Sequence, residues 1–468
     1  MLSCRVRRQR PAADRFQYPV GRKEDGLVKR MNESMIGKWL IFLAAAVVCC
    51  AGMLPASAAD NASSLLVTIW DVPSAQNDPT DVEFGRADIS IQKERNGFIR
   101  GIQDAPGDVV INEITLSEQS SDLVRQLANL INNEEPLMVV GASGDLETMY
   151  CAMETEFFDV PMLIPYADGD IIPDSNQGFT IRMTPNVTKF TDYIGKTLLP
   201  ASTFSWINTL LFEDRSVPDY SINIGVFFAD NFNGHDFATR ITQQLMDNGM
   251  DVEYYVPYAD GELVQAFERN WTAAGKPVSD MDVILLIGFD QDPFLDLPAV
   301  LSLWEGVEEP PLFLMLGYVP DSGDEQIESA QNVLAIRQKL DMSKCPSDIV
   351  NHSEALGYAA GYITRYALEE AHILTEKEKT GWRLWFTSED YKRRSHQNYL
   401  SNYRNNVRSA MIEMQMDIPC YGITSFSSRA DDYTQLELVH YNAPDDASVI
   451  DEGRVFQYIY EKLQRRYR

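Results

Sequence analysis

Short apolar runs alternate with amphipathic stretches along most of this chain. Eight runs have the length of strands and occupy residues 65–72, 109–116, 136–142, 160–166, 222–230, 252–258, 282–289 and 311–318. Stretches with helical periodicity lie between them, at residues 84–104, 119–133, 146–158, 235–248 and 261–274. Residues 283–287 are apolar without a break, as expected for a strand of a parallel sheet that helices cover on both faces. The alternation predicts a doubly wound α/β fold.

The apolar runs fall into two series. The first series ends at residue 166 and the second begins at residue 222, with a segment between them, residues 184–220, that lacks the alternation. Two smaller sheets are favoured over one sheet that contains every predicted strand. We therefore expect two lobes, with residues 184–220 crossing from one to the other.

The N-terminal segment predicts export. Residues 39–54 form a nearly unbroken apolar run, which follows Lys38 and precedes Pro-Ala-Ser-Ala-Ala. A basic flank, a short apolar core and small residues before a cleavage point are the pattern of a secretory signal peptide. A retained membrane anchor is the alternative, but a spanning helix needs ~20 apolar residues and this run is shorter. We expect residues 1–59 to be an extension that ends in a cleaved signal peptide, and the rest to be periplasmic.

Charge and motifs exclude several functions. The chain carries 69 Asp and Glu against 40 Lys and Arg, a net charge of -29. Nucleic-acid phosphates need a positive surface, so no nucleic-acid partner is expected. The sequence contains neither G-x-G-x-x-G nor G-x-x-x-x-G-K-[ST], and it lacks the G-x-S-x-G elbow of esterases. We expect no cofactor and no enzymatic activity.

Cysteine and histidine give no metal site. The five His are scattered without an H-x-x-x-H pair, and no Cys has the spacing of a metal ligand. Beyond the predicted signal peptide the chain contains Cys151, Cys345 and Cys420. An odd number allows one disulfide and leaves one thiol over, and the sequence does not say which pair forms it.

The loops after the predicted strands supply the candidate binding residues. In doubly wound sheets the ligand lies beyond the carboxyl ends of the strands. These loops are rich in Asp and aromatic residues and contain no Lys or Arg. The candidates for ligand binding are Ser143, Asp145, Tyr166, Ala167, Asp168, Asp230, Asn233, Phe289, Asp290 and Tyr318. No residue is assigned a catalytic role.

One short sequence occurs twice with a single change. Residues 165–170 read Pro-Tyr-Ala-Asp-Gly-Asp, and residues 257–262 read Pro-Tyr-Ala-Asp-Gly-Glu. The Asp residues of this near-repeat, Asp168 and Asp260, can each cap the next helix instead of binding a ligand. For Asp260 we favour the capping role, and for Asp168 both interpretations stay open.

The order of several segments resembles the type I periplasmic solute-binding proteins, the class that binds branched-chain amino acids and receptor ligands. Residues 139–145 read Val-Val-Gly-Ala-Ser-Gly-Asp, residues 159–165 read Asp-Val-Pro-Met-Leu-Ile-Pro, and residues 179–185 read Phe-Thr-Ile-Arg-Met-Thr-Pro. They are similar to the family's Gly-x-x-Ser-Ser, gly-Val-Pro-leu-ile-ser-Pro and tyr-x-phe-Arg-thr segments. Residues 224–234 look like the opening of the family's second lobe. The resemblance covers most of residues 65–318 and patches of residues 350–460.

The resemblance implies two Rossmann-like lobes joined by three crossings that close on a small ligand. Lobe 1 is then residues 60–187 plus 319–418, and lobe 2 is residues 188–318 plus 419–468. The resemblance also implies a monomer that delivers its ligand to an ABC-type permease or presents it to a membrane receptor. Closure excludes water and applies the polar groups of both lobes at once.

The chain departs from the family at three binding positions. Asp145 falls where amino-acid binders carry a Ser that holds the ligand carboxylate, Asp168 replaces a Thr, and Asn233 replaces a Tyr. Two like charges ~4 Å apart at an effective dielectric constant near 20 repel by about 4 kcal/mol. We therefore expect an amine-bearing ligand, an amide or a polyol rather than a standard branched-chain amino acid. The alternative is that Asp145 caps the helix after it and turns away from the ligand.

Two segments exceed the family core. Residues 200–220 contain several aromatics, and residues 375–415 contain Trp382, Trp385, Phe386 and the basic stretch 392–394. A basic and aromatic insert on an acidic protein predicts a partner surface. A solvated helix whose aromatics pack on the lobe is the favoured interpretation.

Two other classes of function compete with transport. A sensor or scaffold would keep the fold and use it to regulate a membrane partner. A carboxylate-based hydrolase would need two of Asp145, Asp168 and Asp290 ~5–9 Å apart in one cleft. Saturable binding of a small ligand without turnover distinguishes the binding protein from both.

Overall fold

The structure is a computed structural model, and its described residues belong to one compact unit, Asn61–Arg468. It describes residues 63–70, 86–118, 120–142, 144–167, 169–170, 178–202, 222–259, 261–273, 281–288, 292–304, 310–316, 332–349, 351–379, 389–424, 426, 434–440 and 449–467. The predicted signal peptide lies outside these residues. Within them, no helix combines the length and the apolar character that crossing a membrane requires.

Helices follow most of the strands. In chain order they are α1 (Arg86–Asp104), α2 (Leu123–Asn133), α3 (Asp145–Phe157), α4 (Val187–Asp192), α5 (Phe232–Asp247), α6 (Leu263–Ala273), α7 (Asp292–Ser302), α8 (His352–Lys379), α9 (Glu389–Ile412) and α10 (Gly453–Tyr467). A π-helical stretch, Tyr193–Leu198, continues α4, and a short 3-10 helix spans Met342–Lys344.

The first sheet is parallel and has helices on both faces. Within the described residues it contains β1 (Ser63–Trp70), β2 (Val110–Ser117), β3 (Met138–Val140), β4 (Met162–Ile164) and β5 (Thr180–Arg182), in the order β2-β1-β3-β4-β5. Leu66 and Trp70 pack into a core shared with α1, α8 and α9, whereas Val67 and Ile69 pack with α2 and α3. Successive side chains of a strand point to opposite faces, so β1 supplies both cores.

Glycines bring α1 and α8 into backbone contact. A Cβ on Gly97 would overlap the carbonyl oxygen of Glu354, and a Cβ on Gly361 would overlap that of Phe98. The two helices can approach this closely only because neither position carries a side chain. This pair forms the layer behind β1.

The second sheet repeats the design of the first. Within the described residues it contains β6 (Asn223–Ala229), β7 (Asp251–Tyr258), β8 (Val283–Ile287), β9 (Leu312–Leu316), β10 (Val333–Gln338) and β13 (Leu436–His440), in the order β13-β10-β9-β8-β6-β7. Only β13 runs antiparallel among these six. One core lies under α4, α5 and α10, and the other lies under α6 and α7, where Phe227 and Phe267 stack with centroids 3.8 Å apart.

Three chain crossings between the two lobes meet at one carbonyl. The oxygen of Met183, in the first crossing, accepts hydrogen bonds from Gln338 Nε2 at 3.0 Å and from the Tyr421 hydroxyl. Gln338 ends β10, where the second crossing begins. Tyr421 lies in the third crossing, between the paired strands β11 (Met416–Ile418) and β12 (Gly422–Thr424). This arrangement is the three-crossing hinge that the family resemblance implies.

A disulfide joins the second and third crossings. Cys345 bonds to Cys420 with their Cα atoms 4.6 Å apart, and the Asp341 amide donates to the Cys420 carbonyl at 2.8 Å. The pairing that the sequence left open is therefore settled. Cys151 keeps its thiol and is buried on α3.

The predicted alternation is confirmed, and one boundary needs correction. Each of the eight predicted runs overlaps an observed strand. The predicted limit between residues 318 and 319 assigns Val333–Gln338 to lobe 1, but this strand pairs with β9 and β13 in the second sheet. Arg337 and Gln338 interrupt its apolar pattern and conceal it. The chain leaves the second sheet after β10, and the other predicted lobe limits stay predictions.

The two extra segments are described only in part. Residues 203–221 of the first lie outside the described residues, as do residues 380–388 of the second, which include Trp382, Trp385 and Phe386. In the second segment, Tyr403 and Val407 of α9 are buried in the core of lobe 1. This part of the segment packs on the lobe.

Candidate ligand-binding site

The predicted site residues follow strands of both sheets. Asp145 begins α3 directly after β3, Tyr166 and Ala167 follow β4, Asp230 follows β6, and Asn233 lies in the first turn of α5. The remaining candidates lie outside the described residues: Ser143, Asp168, Phe289, Asp290 and Tyr318. The described candidates thus lie at the carboxyl ends of parallel strands in the two sheets, where doubly wound folds bind ligands.

Asp145 is buried inside the first lobe. It is 4% exposed and is the first residue of α3, while Gly144 holds the cap position. Its carboxylate packs against the loop after β4, because a Cβ on Gly169 would overlap it. The structure therefore places this charge between the ends of β3 and β4.

The N-terminus of α3 is occupied by the protein's own carboxylates. Glu118, which follows β2, accepts a short hydrogen bond from the amide of Gly144 through Oε1. Glu147 also lies close, since a Cβ on Gly144 would contact both the Glu118 and the Glu147 carboxylates. A helix N-terminus carries a partial positive charge that attracts anions. Here internal anions already take that place. Glu118 lies at this edge but was not among the candidates from the sequence, although its position directly after a strand was a usable signal.

A buried arginine lies beside this acidic group. Arg182, at the end of β5, is fully buried, and its Nη2 donates to the carbonyl oxygen of Gly169 at 2.5 Å. Gly169 therefore contacts both Asp145 and Arg182. A buried charge is costly unless an opposite charge and hydrogen bonds compensate it. Arg182 and Asp145 are accordingly a fixed part of this edge.

Tyr166 and Ala167 hold the loop after β4 in place. The Tyr166 ring lies 5.9 Å from the Trp70 ring, and its hydroxyl is enclosed near Gly357 of α8. Burial, with the Glu94 charge added, holds the pKa of Tyr166 well above its usual value. Ala167 is buried, and its carbonyl accepts from the Thr184 hydroxyl at 2.8 Å. Both residues are therefore built into the first lobe.

One carboxylate of the first lobe reaches the second. Asp170, in the loop after β4, accepts from the Thr188 hydroxyl at 2.6 Å and pairs with Arg240 Nη1 at 2.8 Å. Thr188 lies in the first turn of α4, and Arg240 lies on α5, which packs on the second sheet. Arg240 also pairs with Asp236 of its own helix at 3.0 Å. Asp170 is a link between the lobes that the sequence analysis did not single out.

The carboxyl edge of the second sheet is more open. Asp230 Oδ1 lies 2.7 Å from His235 Nε2, and these side chains are 56% and 49% exposed. The side chain of Asn231, not of Asp230, caps α5 by accepting from the Gly234 amide at 2.8 Å. The Asp230 carboxylate is therefore available at this edge, with an imidazole beside it.

The buried thiol does not fit a nucleophile. Burial, followed by the charges of Glu118, Glu147 and Glu154, raises the pKa of Cys151 to about 12. The thiolate is the reactive form of cysteine, and it does not form near neutral pH at such a pKa. Within the described residues, no group of three or more His, Cys, Asp or Glu could hold a metal ion.

Known proteins are similar to this chain in fold rather than in sequence. No family model matches it, and no curated protein sequence does. A leucine-binding protein from Thermotoga maritima superposes with a TM-score of 0.52 at 14% identity, over 83% of this chain and 97% of the other. An extracellular ligand-binding receptor from Rhodopseudomonas palustris HaA2 superposes with a TM-score of 0.52 at 12% identity, over 83% of this chain and 99% of the other. A solute-binding protein of an ABC transporter from R. palustris was solved in complex with 4-hydroxybenzoate. It superposes with a TM-score of 0.53 at 11% identity, over 83% of this chain and 95% of the other.

The chain has the fold of the type I periplasmic binding proteins. Within a type I binding fold, the two carboxyl edges described above differ in what they offer. The first edge presents charges that are already engaged by the protein, and the second presents an exposed carboxylate. Asp170 and Arg240 connect the two lobes beside the first crossing.

Proposed function

We propose that the protein is an exported solute-binding protein that captures a small polar ligand between its two lobes. The observation that carries this proposal is the hinge, in which three crossings meet at the Met183 carbonyl between two doubly wound lobes. Such a joint permits rigid lobes to rotate while their cores stay packed. The similar structures named above include a leucine-binding protein and a solute-binding protein of an ABC transporter, which supports the same function here.

We infer that the ligand presents an amine, an amide or hydroxyl groups rather than a free carboxylate. Glu118 already accepts from the Gly144 amide, and Asp145 and Glu147 lie in the first turn of α3. A ligand carboxylate at this helix end would face three acidic side chains. At ~4 Å and an effective dielectric constant near 20, each such pair repels by about 4 kcal/mol.

The remaining parts of the proposal concern location and partners. The N-terminal extension would direct the chain to the periplasm, where cleavage near residue 59 releases a monomer. The partner would be an ABC-type permease that receives the ligand. The binding residues would come from both carboxyl edges, with Asp145 setting the charge of one and Asp230 contacting the ligand from the other.

A sensor or scaffold is the second candidate, and one observation favours it. The helix end that would receive a ligand is filled by Glu118, a side chain of the protein itself. A lobe whose site is occupied in this way could keep the fold while regulating a membrane partner. A hydrolase has no comparable support, since Asp145 is buried against Gly169.

A binding screen tests the proposal. Purified residues 60–468 are heated with single members of a library of amines, amides, polyols and amino acids, while tryptophan fluorescence reports closure. A ligand that binds only the folded state raises the melting temperature. At a ligand concentration of 100 times Kd, it adds ~2.7 kcal/mol to the free energy of unfolding. We expect at least one amine, amide or polyol to stabilise the protein without being consumed. Turnover would indicate an enzyme, and no stabilising compound would indicate the scaffold.

A further inference from the structure

One face of α3 carries a continuous row of exposed apolar side chains. Leu146, Tyr150, Met153 and Phe157 are 47%, 47%, 64% and 79% exposed. Their spacing of four, three and four residues places them on one side of the helix. At 1.5 Å per residue the row is about 16 Å long. We call these four residues the α3 stripe.

The α3 stripe is not needed by the core of its own lobe. The opposite side of the helix supplies Thr148, Cys151, Ala152 and Thr155, all buried, and Cys151 and Ala152 pack in the core shared with α2. Single exposed apolar residues are ordinary on a protein surface, but a contiguous row on one helix marks an interaction site. The stripe therefore has the geometry of a surface that receives another helix.

The charges around the stripe select its partner. The helix α3 contains Asp145, Glu147, Glu154 and Glu156 and no Lys, Arg or His. Glu147 and Glu154 each directly follow a stripe residue, so they border the row along its length. A second copy of α3 would bring the same carboxylates opposite one another, and an anionic lipid surface would also be repelled. A segment with Lys or Arg beside its apolar side chains gains attraction instead.

We propose that the α3 stripe docks a cationic amphipathic helix of a partner protein. The partner helix carries aliphatic or aromatic side chains at i, i+3 or i+4, and i+7, with Lys or Arg at the flanking positions. Its apolar face covers Tyr150 and Met153, and its cations lie over Glu147 and Glu154. The stripe runs along α3 away from the strand edges that would bind the solute, and only Glu147 in its first turn belongs to both.

A pair of synthetic helices tests the proposal. A labelled peptide of ~16 residues with Leu on one face and Lys beside it is titrated against residues 60–468, and a matched peptide carries Glu in place of Lys. We expect saturable binding of the Lys peptide, weakened by salt and about tenfold weaker or absent for the Glu peptide. Met153→Glu should lower the affinity for the Lys peptide about tenfold, which corresponds to a loss of ~1.4 kcal/mol of binding free energy.

A matched variant controls for general attraction to an acidic protein. Met246 on α5 is 57% exposed, and Met246→Glu adds the same charge on the other lobe. This variant should bind the Lys peptide within about twofold of the parent protein, while circular dichroism confirms that both variants fold. Equal binding by the parent and the Met153→Glu protein would overturn the proposal.

Two further measurements test whether something other than a partner helix covers the α3 stripe. Sedimentation that reveals a dimer, lost in Met153→Glu, would assign the stripe to a second copy and overturn the proposal. Met153→Cys should react with a thiol reagent far faster than the buried Cys151. A rate as slow as that of Cys151 would mean that the chain itself covers the stripe, which would also overturn the proposal.

Discussion

Both sheets have an acidic and a basic side chain at the carboxyl edge, but these side chains are buried at the first edge and half exposed at the second. At the first edge Asp145 is 4% exposed and Arg182 is fully buried, and both contact Gly169. At the second edge the side chains of Asp230 and His235 are about half exposed and pair with each other. The first edge therefore has a fixed charge pattern, whereas the second has groups that can reorient toward a ligand.

This difference suggests how the two lobes divide the work of recognition. A preorganised edge loses little free energy when a ligand arrives, because its side chains are already ordered by packing. Under the proposed function, its charge pattern would decide which ligands are rejected. The exposed groups of the second edge would supply contacts once the lobes close.

Removing the buried cation of the first edge should have the largest effect. Arg182→Met deletes a charge beside Asp145 and a hydrogen bond to the Gly169 carbonyl. Losing a buried hydrogen bond from a charged donor costs up to about 3 kcal/mol, because the Gly169 carbonyl is left without this partner. Denaturant unfolding of the variant should reveal this loss. An equally stable variant would mean that Arg182 does not hold the loop of the first edge in place.

The near-repeat offers a matched pair of glycines. A side chain on Gly169 would overlap Asp145, whereas a Cβ on Gly261 meets nothing within 4 Å. Gly169→Asn should destabilise by about 2 kcal/mol through overpacking. Gly261 has a φ of +70°, a conformation that Asn tolerates, so Gly261→Asn should change stability little. Equal losses in thermal melts would contradict the claim that only the first edge is tightly packed.

The link between the lobes should contribute less. Asp170→Asn removes the ion pair with Arg240 but leaves hydrogen bonding to Thr188 available. Because Arg240 is partly exposed, we expect a loss of about 1 kcal/mol or less. Small-angle scattering should also detect a larger radius of gyration as the lobes separate. The control is Asp236→Asn, which removes a pair within α5 alone and should leave the radius unchanged. The same expansion in both variants would argue against Asp170 as an inter-lobe link.

The smallest effect is expected at Tyr166. Within the described residues its buried hydroxyl has no hydrogen-bond partner, so Tyr166→Phe removes a polar group without breaking a bond. The unfolding free energy should stay within about 0.5 kcal/mol of the parent or rise slightly. Affinity for any ligand found in the screen should also be unchanged. A clear loss of affinity would instead give the Tyr166 hydroxyl a direct role in binding.

The parts of the fold with uninterrupted apolar runs could be predicted from the sequence. Val283–Ile287 is an example, because a fully buried parallel strand needs no polar partner. β10 escaped prediction because it ends in Arg337 and Gln338. Arg337 is buried against Glu437 of β13, with Nε 2.8 Å from Oε1. The two residues are far apart in sequence, so their pairing leaves no local pattern that identifies the strand.

For the candidate site, too, the sequence predicts the position of a residue at a strand end but not its contacts. Topology places Asp145 and Asp230 at strand ends, and this could be predicted from the order of strands and helices. The burial of Asp145 depends on Gly169 and Arg182, which reach it only after β4 and β5 pair. Glu118 reaches the Gly144 amide because β1 pairs with both β2 and β3. Such contacts between separate loops leave no local pattern in the sequence.

The charge selectivity of the first edge can be measured most directly with paired ligands. Thermal shifts of residues 60–468 are recorded with a panel of α-amino acids and with the matching carboxamides, which lack the negative charge. We predict that carboxamides stabilise the protein and that the corresponding acids do not. In the Glu118→Gln variant, the thermal shifts with the two kinds of ligand should differ less. Stabilisation by the free acids that equals or exceeds that of their carboxamides would contradict a first edge that rejects anions.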